Sequence, residues 1–147
     1  DAGEALAGFW EACAKHVAQV ARSGALIKSI VLLSLLRQFR TVAPCDRVVV
    51  VSNFRRTLLR LQGLLRAAGF RTSILSGSTP PARRMELVDA FNSTGPTTAQ
   101  VFLLSSKAGG VGLNLVGANR LVLFDPDWNP ANDAQAMARI WRDGQRK

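Results

Sequence analysis

Two rhythms of hydrophobic residues divide the chain. In the first forty residues, apolar positions recur every three or four residues, the spacing of one face of a helix. Phe9, Ala12, Cys13, Val17 and Val20 form a loose stripe, which Ser23-Gly24 then breaks. Ser23 can cap a second helix, carrying Ile27, Ile30, Val31, Leu35 and Leu36. From Arg47 the pattern turns to strands and helices in alternation. The run VVVV at 48–51 is apolar throughout, as a strand buried on both faces of a parallel sheet requires. A helix is predicted from Phe54 to about Ala68, with Phe54, Leu58, Leu61 and Leu65 on its apolar side and Gly69 as its C-cap. Residues 72–75 read as a short second strand. Thr79 then caps a helix with Pro80 at its first position, running to about Phe91. After a turn at 92–98, residues 101–104 and 121–124 supply a third and a fourth strand, with a Gly-rich loop at 108–112 between them. Asn129-Pro130 opens a last helix that reaches about Arg142.

Strands alternating with helices imply right-handed crossovers and an α/β fold, an open parallel sheet covered by helices on both faces and preceded by an N-terminal helical segment. Ligands of such sheets meet the loops at the strand C-terminal ends. The positions to examine are therefore Ser52-Asn53, Ser76-Gly77, residues 105–112 and residues 125–128.

Composition narrows the class of protein. The chain has 147 residues, 48% hydrophobic and 20% charged, which suits one folded domain of ordinary core size. Tyrosine is absent, so the core must rest mainly on aliphatic side chains. The net charge is +9, unevenly spread: between Ala12 and Met85 thirteen Lys or Arg face a single acid, Asp46. Such an excess points to a polyanionic partner, because cations gain affinity for phosphates by releasing counterions. Cys13 and Cys45 are isolated and His16 is the only histidine, so neither a disulfide framework nor a zinc site is expected. The apolar run at 30–36 is too short to cross a bilayer, and no membrane partner is expected.

Three loops have chemistry to offer. Ser105, Ser106, Lys107, Gly109, Gly110 and Gly112 follow a buried strand, where glycines let backbone N–H groups approach a phosphate and Lys107 adds charge. A tight turn would need the same glycines. No GxxxxGK[ST] occurs, so the chain lacks a P-loop, and the GxGxxG of dinucleotide binders is missing too. On the last helix, Gln135, Arg139 and Arg142 fall within about 60° of one another. Ala134, Met137, Ala138 and Trp141 fall on the other side, free to bury against the sheet. Paired arginines beside a Gly-rich loop suit a transferring phosphoryl group, although a solvated arginine face would look the same. Ser52-Asn53 is an ordinary helix-capping pair that can also hold one DNA phosphate. Trp128, in the Pro-stiffened DPDWNP at 125–130, fits equally a core plug or an exposed coupling residue.

Taken together, VVVVSNF at 48–54 and LLSSKAGGVGLNLVGANRLVLFDPDWNPANDAQAMARIWRDGQRK at 103–147 resemble the C-terminal helicase lobe of the SWI/SNF-type ATPases of helicase superfamily two. The wording is nearest to the homologous-recombination repair translocases. The resemblance covers residues 23–147, which would form a RecA-like second motor lobe, and leaves 1–22 as a helical connector from a preceding domain. It implies that Arg139 and Arg142 reach the γ-phosphate of ATP, with Gln135 and Gly112 beside the nucleotide. ATP and Mg²⁺ would be held mainly by an N-terminal RecA-like lobe of the same protein. Ser52, Asn53, Ser105, Ser106, Lys107, Gly109 and Gly110 would contact the backbone of double-stranded DNA, and Trp128 would lie in the loop coupling DNA to ATP turnover. A recombinase filament or a nucleosome, and a nuclear location, follow from the resemblance alone. Two positions depart from the family's wording: Ala25 stands where it has lysine, and Ser76 where it has an acid.

Competing readings are a nucleosome remodeller with the same lobe, or a DNA-binding or protein-interaction module that has lost the chemistry. A metabolic nucleotide-binding domain is disfavoured by the missing GxGxxG and the basic charge. Without a P-loop lysine and a Mg²⁺-binding acid, this lobe alone is expected to be inactive.

Overall fold

In the computed structural model, which describes residues 8, 11, 27–95, 98–109 and 112–138, strands and helices alternate as the hydrophobic pattern demands. The chain forms two compact units, Asp1–Cys45 and Asp46–Lys147. Most of the expected connector, with Ser23 and Ala25, lies outside the described residues. The first unit contains helix α1 (Ile27–Val42). It buries Ile30, Leu32, Leu33 and Leu36, whereas Ile27, expected on its apolar stripe, is exposed.

The second unit is built on four strands, β1 (Val48–Ser52), β2 (Thr72–Leu75), β3 (Val101–Ser105) and β4 (Arg120–Leu123). All neighbouring pairs are parallel, in the order β2-β3-β1-β4. The two central strands, β1 and β3, are buried along their whole length. That is why their sequences are continuous apolar runs rather than alternations.

Helix α2 (Arg55–Ala67) joins β1 to β2, and α3 (Pro81–Asn92) joins β2 to β3. The chain moves outward to β2 and back to β3, so right-handed crossovers place these helices on opposite faces. Val88 and Phe91 of α3 accordingly share a core with Val49, Val51, Leu75, Phe102 and Leu104. The alternate residues Val48, Val50, Val101 and Leu103 look the other way, toward buried Leu58, Leu61 and Leu65 of α2.

Local chemistry sets where these helices stop. Gly69, at φ 80°, takes the left-handed conformation. Its N–H donates to Arg66 O (3.0 Å) and that of Phe70 to Leu65 O (2.9 Å), the paired bonds of a Schellman end. Phe54 is not part of the apolar face expected of it; it is the N-cap of α2 and 62% exposed. Thr79 does not cap α3. Its hydroxyl accepts from Ser76 N–H (3.0 Å), closing the turn after β2, and Pro80 takes the cap position with Pro81 following. Two prolines leave fewer N–H groups to satisfy, so the helix can start without a side-chain cap. In the same turn Ser76 and Ser78 share a hydrogen bond of 2.9 Å, and Arg84 donates to Thr79 O (2.7 Å) and Gly77 O (3.1 Å). The turn is thus closed with serine in place of the family's acid.

Gly117 sits where the chain crosses the end of α3. A Cβ there would lie 2.8 Å from Phe91 O and 2.9 Å from Asn92 Cα. Its N–H donates to Asn92 Oδ1 (2.9 Å), which draws the two backbones together. Gly117→Ala is expected to cost about 1–3 kcal/mol by overpacking, read as a lower urea midpoint. An unchanged midpoint would mean that the α3 end moves aside freely.

Candidate nucleic-acid interface

Strand register brings the candidate loops to one rim. Ser52 lies opposite Ser105, Leu75 opposite Leu104, and Val51 opposite Leu123, so the four strands end side by side. Beyond them, β3 runs into the short helix α4 (Ser106–Gly109), and β4 leads through residues 124–129 to α5 (Pro130–Ala138). Ala108 is buried and anchors α4, which leaves Lys107 exposed. Gly112, at φ 60°, is exposed and uses the conformation that a loop glycine permits.

A polar network ties the loops together. Ser52 Oγ donates to Asp125 Oδ2 (2.6 Å) and accepts from Phe54 N–H (3.1 Å). Asn53 Oδ1 accepts from Ser106 Oγ, and the Asn53 side chain helps to hold the Asp127 carboxyl below its ordinary value. Asp127 also accepts from Asn129 N–H (2.9 Å) and Asn132 Nδ2 (3.0 Å). Its own N–H donates to the Asp133 carboxylate (3.1 and 3.2 Å), and Asn129 Oδ1 caps Ala131 N–H (3.1 Å). The loop before α5 is therefore held rigid, with Trp128 projecting from it 93% exposed. That exposure excludes the core plug, one of its two sequence readings.

The Asn129 N–H, followed by the Asn132 amide, holds the Asp127 carboxyl below its ordinary value of 3.8; Asn53 and the Lys107 charge add to this, and desolvation opposes it. A depressed folded-state value stabilises the fold above the unfolded value and loses that contribution as pH falls through the folded one. Acid titration followed by circular dichroism is expected to show a steeper loss below about pH 4 in wild type than in Asp127→Asn. Superimposable curves would mean that the carboxylate is not held by these donors in solution.

Several expected contacts change on this rim. Ser52 and Ser105 are buried, at 0% and 6% exposure, and the Ser52 hydroxyl is engaged inside the protein. Neither side chain is open to a DNA phosphate here; Ser52 positions the Asp125 loop instead. Lys107 is exposed, and Asn53, Ser106 and Asp127 are half-buried. Ala134, Met137 and Ala138, expected to bury against the sheet, are exposed, because α5 lies against α4 at the rim. Gln135 is exposed too. Gly109 closes α4, while Gly110, Arg139 and Arg142 lie outside the described residues. Sequence reasoning gave no role to Asp125 or Asp127 and misplaced Phe54. The DPD spacing signals a capped turn, but nothing local reveals that its carboxylates reach a loop some seventy positions earlier.

The single acid in the basic stretch is consumed structurally. Asp46 pairs with Arg120 at 2.7 Å and accepts from Asn119 Nδ2 at the start of β1 and β4. The basic surplus of α2, with Arg55, Arg56, Arg60 and Arg66, is thus left without an acid from its own segment.

The sequence profile of the helicase conserved C-terminal domain matches residues 28–144. The chain belongs to that family. This helicase C-terminal domain is 53% identical over 116 residues to the DNA repair and recombination protein RAD54B of Gallus gallus, covering 79% of the chain and 12% of the relative. It is 52% identical over 120 residues to the DNA repair protein rhp54 of Schizosaccharomyces pombe, covering 82% of the chain and 14% of the relative. Identity with Protein CHROMATIN REMODELING 25 of Arabidopsis thaliana is 54% over 121 residues, covering 82% of the chain and 13% of the relative. Among solved structures, the C-terminal part of the Fun30 ATPase domain superposes with a TM-score of 0.73 at 36% identity, covering 81% of this chain and 38% of that one. The helicase domain therefore spans only about an eighth of these curated relatives. Its parallel sheet flanked by helices matches the expected RecA-like lobe. No described helix is long and apolar enough to cross a membrane.

Proposed function

We propose that this domain is the second motor lobe of an ATP-dependent translocase on double-stranded DNA that acts in recombinational repair. The observation that carries the reading is the rim itself. Asn53, Ser106, Lys107 and Trp128, drawn from three strand ends, stand together at the edge where sheets of this class meet their ligands. The names of the repair relatives, and the basic surplus, support DNA as the polymer held there.

In this reading Asn53, Ser106 and Lys107 meet the phosphates of one strand, with the backbone at Gly109 and Gly110 beside them. Ser52 acts from below by holding the Asp125 loop. Gly112, Gln135, Arg139 and Arg142 face the nucleotide, and the exposure of Gly112 and Gln135 on the rim fits that placement. ATP with Mg²⁺, bound mainly by the N-terminal RecA-like lobe, supplies the free energy of phosphoryl transfer. Trp128 sits between the two functions: its loop lies beside Asn53, through Asp127, on the DNA side and leads into α5 on the nucleotide side. Movement of α5 relative to the sheet would be transmitted through Asp127 to Asn53 and Ser106. The lobe alone is inactive, because the P-loop belongs to the other lobe. The work would be nuclear, on duplex DNA alone or on DNA carrying a recombinase filament.

Lys107→Ala in the full-length protein is the direct test. Loss of one phosphate contact is expected to weaken duplex binding for every sequence alike and to lower the salt slope by about one. An unchanged slope would remove Lys107 from the DNA surface. A nucleosome-remodelling role is the second reading, favoured by the likeness to Protein CHROMATIN REMODELING 25. Stimulation of ATP turnover by nucleosomes well beyond that by bare duplex would select it.

A further inference from the structure

Away from the proposed DNA rim, the sheet ends in an open edge. Among the described residues β2 pairs with β3 alone. Arg71 O accepts from Gln100 N–H (2.9 Å) and Val101 N–H (3.2 Å), so the Arg71 backbone faces β3. Alternate residues of a parallel ladder face the same neighbour. Ser73 and Leu75 therefore also turn to β3, and Thr72 and Ile74 present their N–H and C=O groups to the open side. Both residues are only half-buried.

Because α2 and α3 cover opposite faces of the sheet, they flank this edge as two walls. Clefts of about 460 and 500 Å³ lie along it and share Arg66, Thr72 and Ser73, forming one groove. The α2 wall offers Arg55, Arg66 and Leu59, the last 47% exposed, and the α3 wall offers Arg83 and Leu87. Arg71 stands at the far end. Among the described residues, no Asp or Glu lines either cleft. Arg66 spends its Nε–H on Thr72 Oγ1 (3.1 Å) and Arg71 on Thr98 O (2.9 Å), which fixes both side chains along the groove and keeps their charge there. Arg83 pairs with Glu86, but that pair is exposed and weak.

We propose that this groove binds an extended, acidic polypeptide segment of a partner protein, which adds a strand to the open edge of β2. An added strand would satisfy the outward backbone groups of Thr72 and Ile74. Its side chains would alternate between the walls, acids toward Arg55 and Arg66, and apolar residues toward Leu87. The four residues of β2 give room for a match of about four. Exposed edges are often guarded by charge. Here the guard is of one sign, so it repels basic strands and attracts acidic ones. Nucleic acid would meet the arginines, but it has no use for strand-spaced backbone groups or for Leu59 and Leu87.

The test is a fluorescence-anisotropy titration of the full-length protein with a labelled peptide of alternating glutamate and valine. Arg55→Glu/Arg66→Glu is expected to weaken binding about ten-fold or more, and Arg55→Glu alone, at an exposed first-turn position, by a smaller factor. A lysine–valine peptide is expected not to bind, and hydrogen exchange at Thr72 and Ile74 to slow when the acidic peptide is present. Equal affinity in both variants and wild type, equal binding of the lysine peptide, or unchanged exchange would each overturn the proposal. So would loss of duplex binding in the variants with peptide binding kept, since the groove would then be a nucleic-acid surface. The Lys107 test is separate, so either reading can fail alone.

Discussion

Replacing Arg142 with alanine in the full-length protein is expected to lower DNA-stimulated ATP turnover by about 10³–10⁵-fold, with duplex affinity largely kept. The reason is electrostatic. Charge on a transferring phosphoryl group is spread over its oxygens, and a guanidinium fixed beside them stabilises that charge more in the transition state than in bound ATP. Arg142 shares a helical face with Gln135 and Arg139 in the sequence, and Gln135 is exposed on α5 at the rim. Alanine removes the charge without disturbing Asn53, Ser106 or Lys107, so binding and turnover should separate. Turnover within a few-fold of wild type would take Arg142 away from the γ-phosphate. A wild-type protein without turnover would instead favour a DNA-binding module that has lost the chemistry.

Phe91→Ala is expected to destabilise the domain by about 3–5 kcal/mol, the usual loss for a fully buried aromatic. Phe91 is 1% exposed and shares a core with Val88 and with Val49, Val51 and Leu104 of the β-sheet. Its ring meets that of Phe102 at a centroid distance of 4.9 Å, tilted by 55°. On its other side the Arg47 guanidinium sits 5.4 Å from the ring centroid and donates to Phe91 O and, at 2.7 Å, to Ser93 O. Burial there lowers the Arg47 pKa, though an arginine stays charged at any ordinary pH. The deletion would leave a cavity under α3 and an arginine without its aromatic platform. Urea unfolding monitored by circular dichroism gives the value. A loss below about 1 kcal/mol would mean that this side of the sheet collapses to fill the space.

How much of this was legible beforehand depends on the range of the interaction concerned. The strands at 48–51 and 101–104 are continuous apolar runs, a pattern fixed by burial on both faces and visible without any partner. Gly69 ended α2 where expected, because the left-handed bend that a helix end needs is a property of the residue itself. The rim loops could be named in advance for a similar reason: parallel strands all point the same way, so their C-terminal ends must gather. Thr79 and Phe54 went differently. A threonine hydroxyl can cap a helix or close a turn at little difference in energy, and the Ser76 N–H won it. Phe54 has the period of Leu58 and Leu61, but it stands one residue before the helix, where that period no longer sets direction.

By itself, then, the sequence determined the class of fold, the polarity of the sheet and the family, because these rest on local periodicity and on contiguous words such as SSKAGG. The tertiary structure decided what each polar side chain does. Ser52, a candidate phosphate contact, supports Asp125, and Asp127, which sequence reasoning gave no role, holds Asn129 and Asn132 where α5 begins. Asp46 looked like a stray acid and became the partner of Arg120. The Ser52 and Asp46 pairings join residues far apart in the chain, and only the strand register fixes which of them meet. A hydrogen bond forms within about 3 Å or not at all, so composition and spacing could supply the donors and acceptors but not their partners.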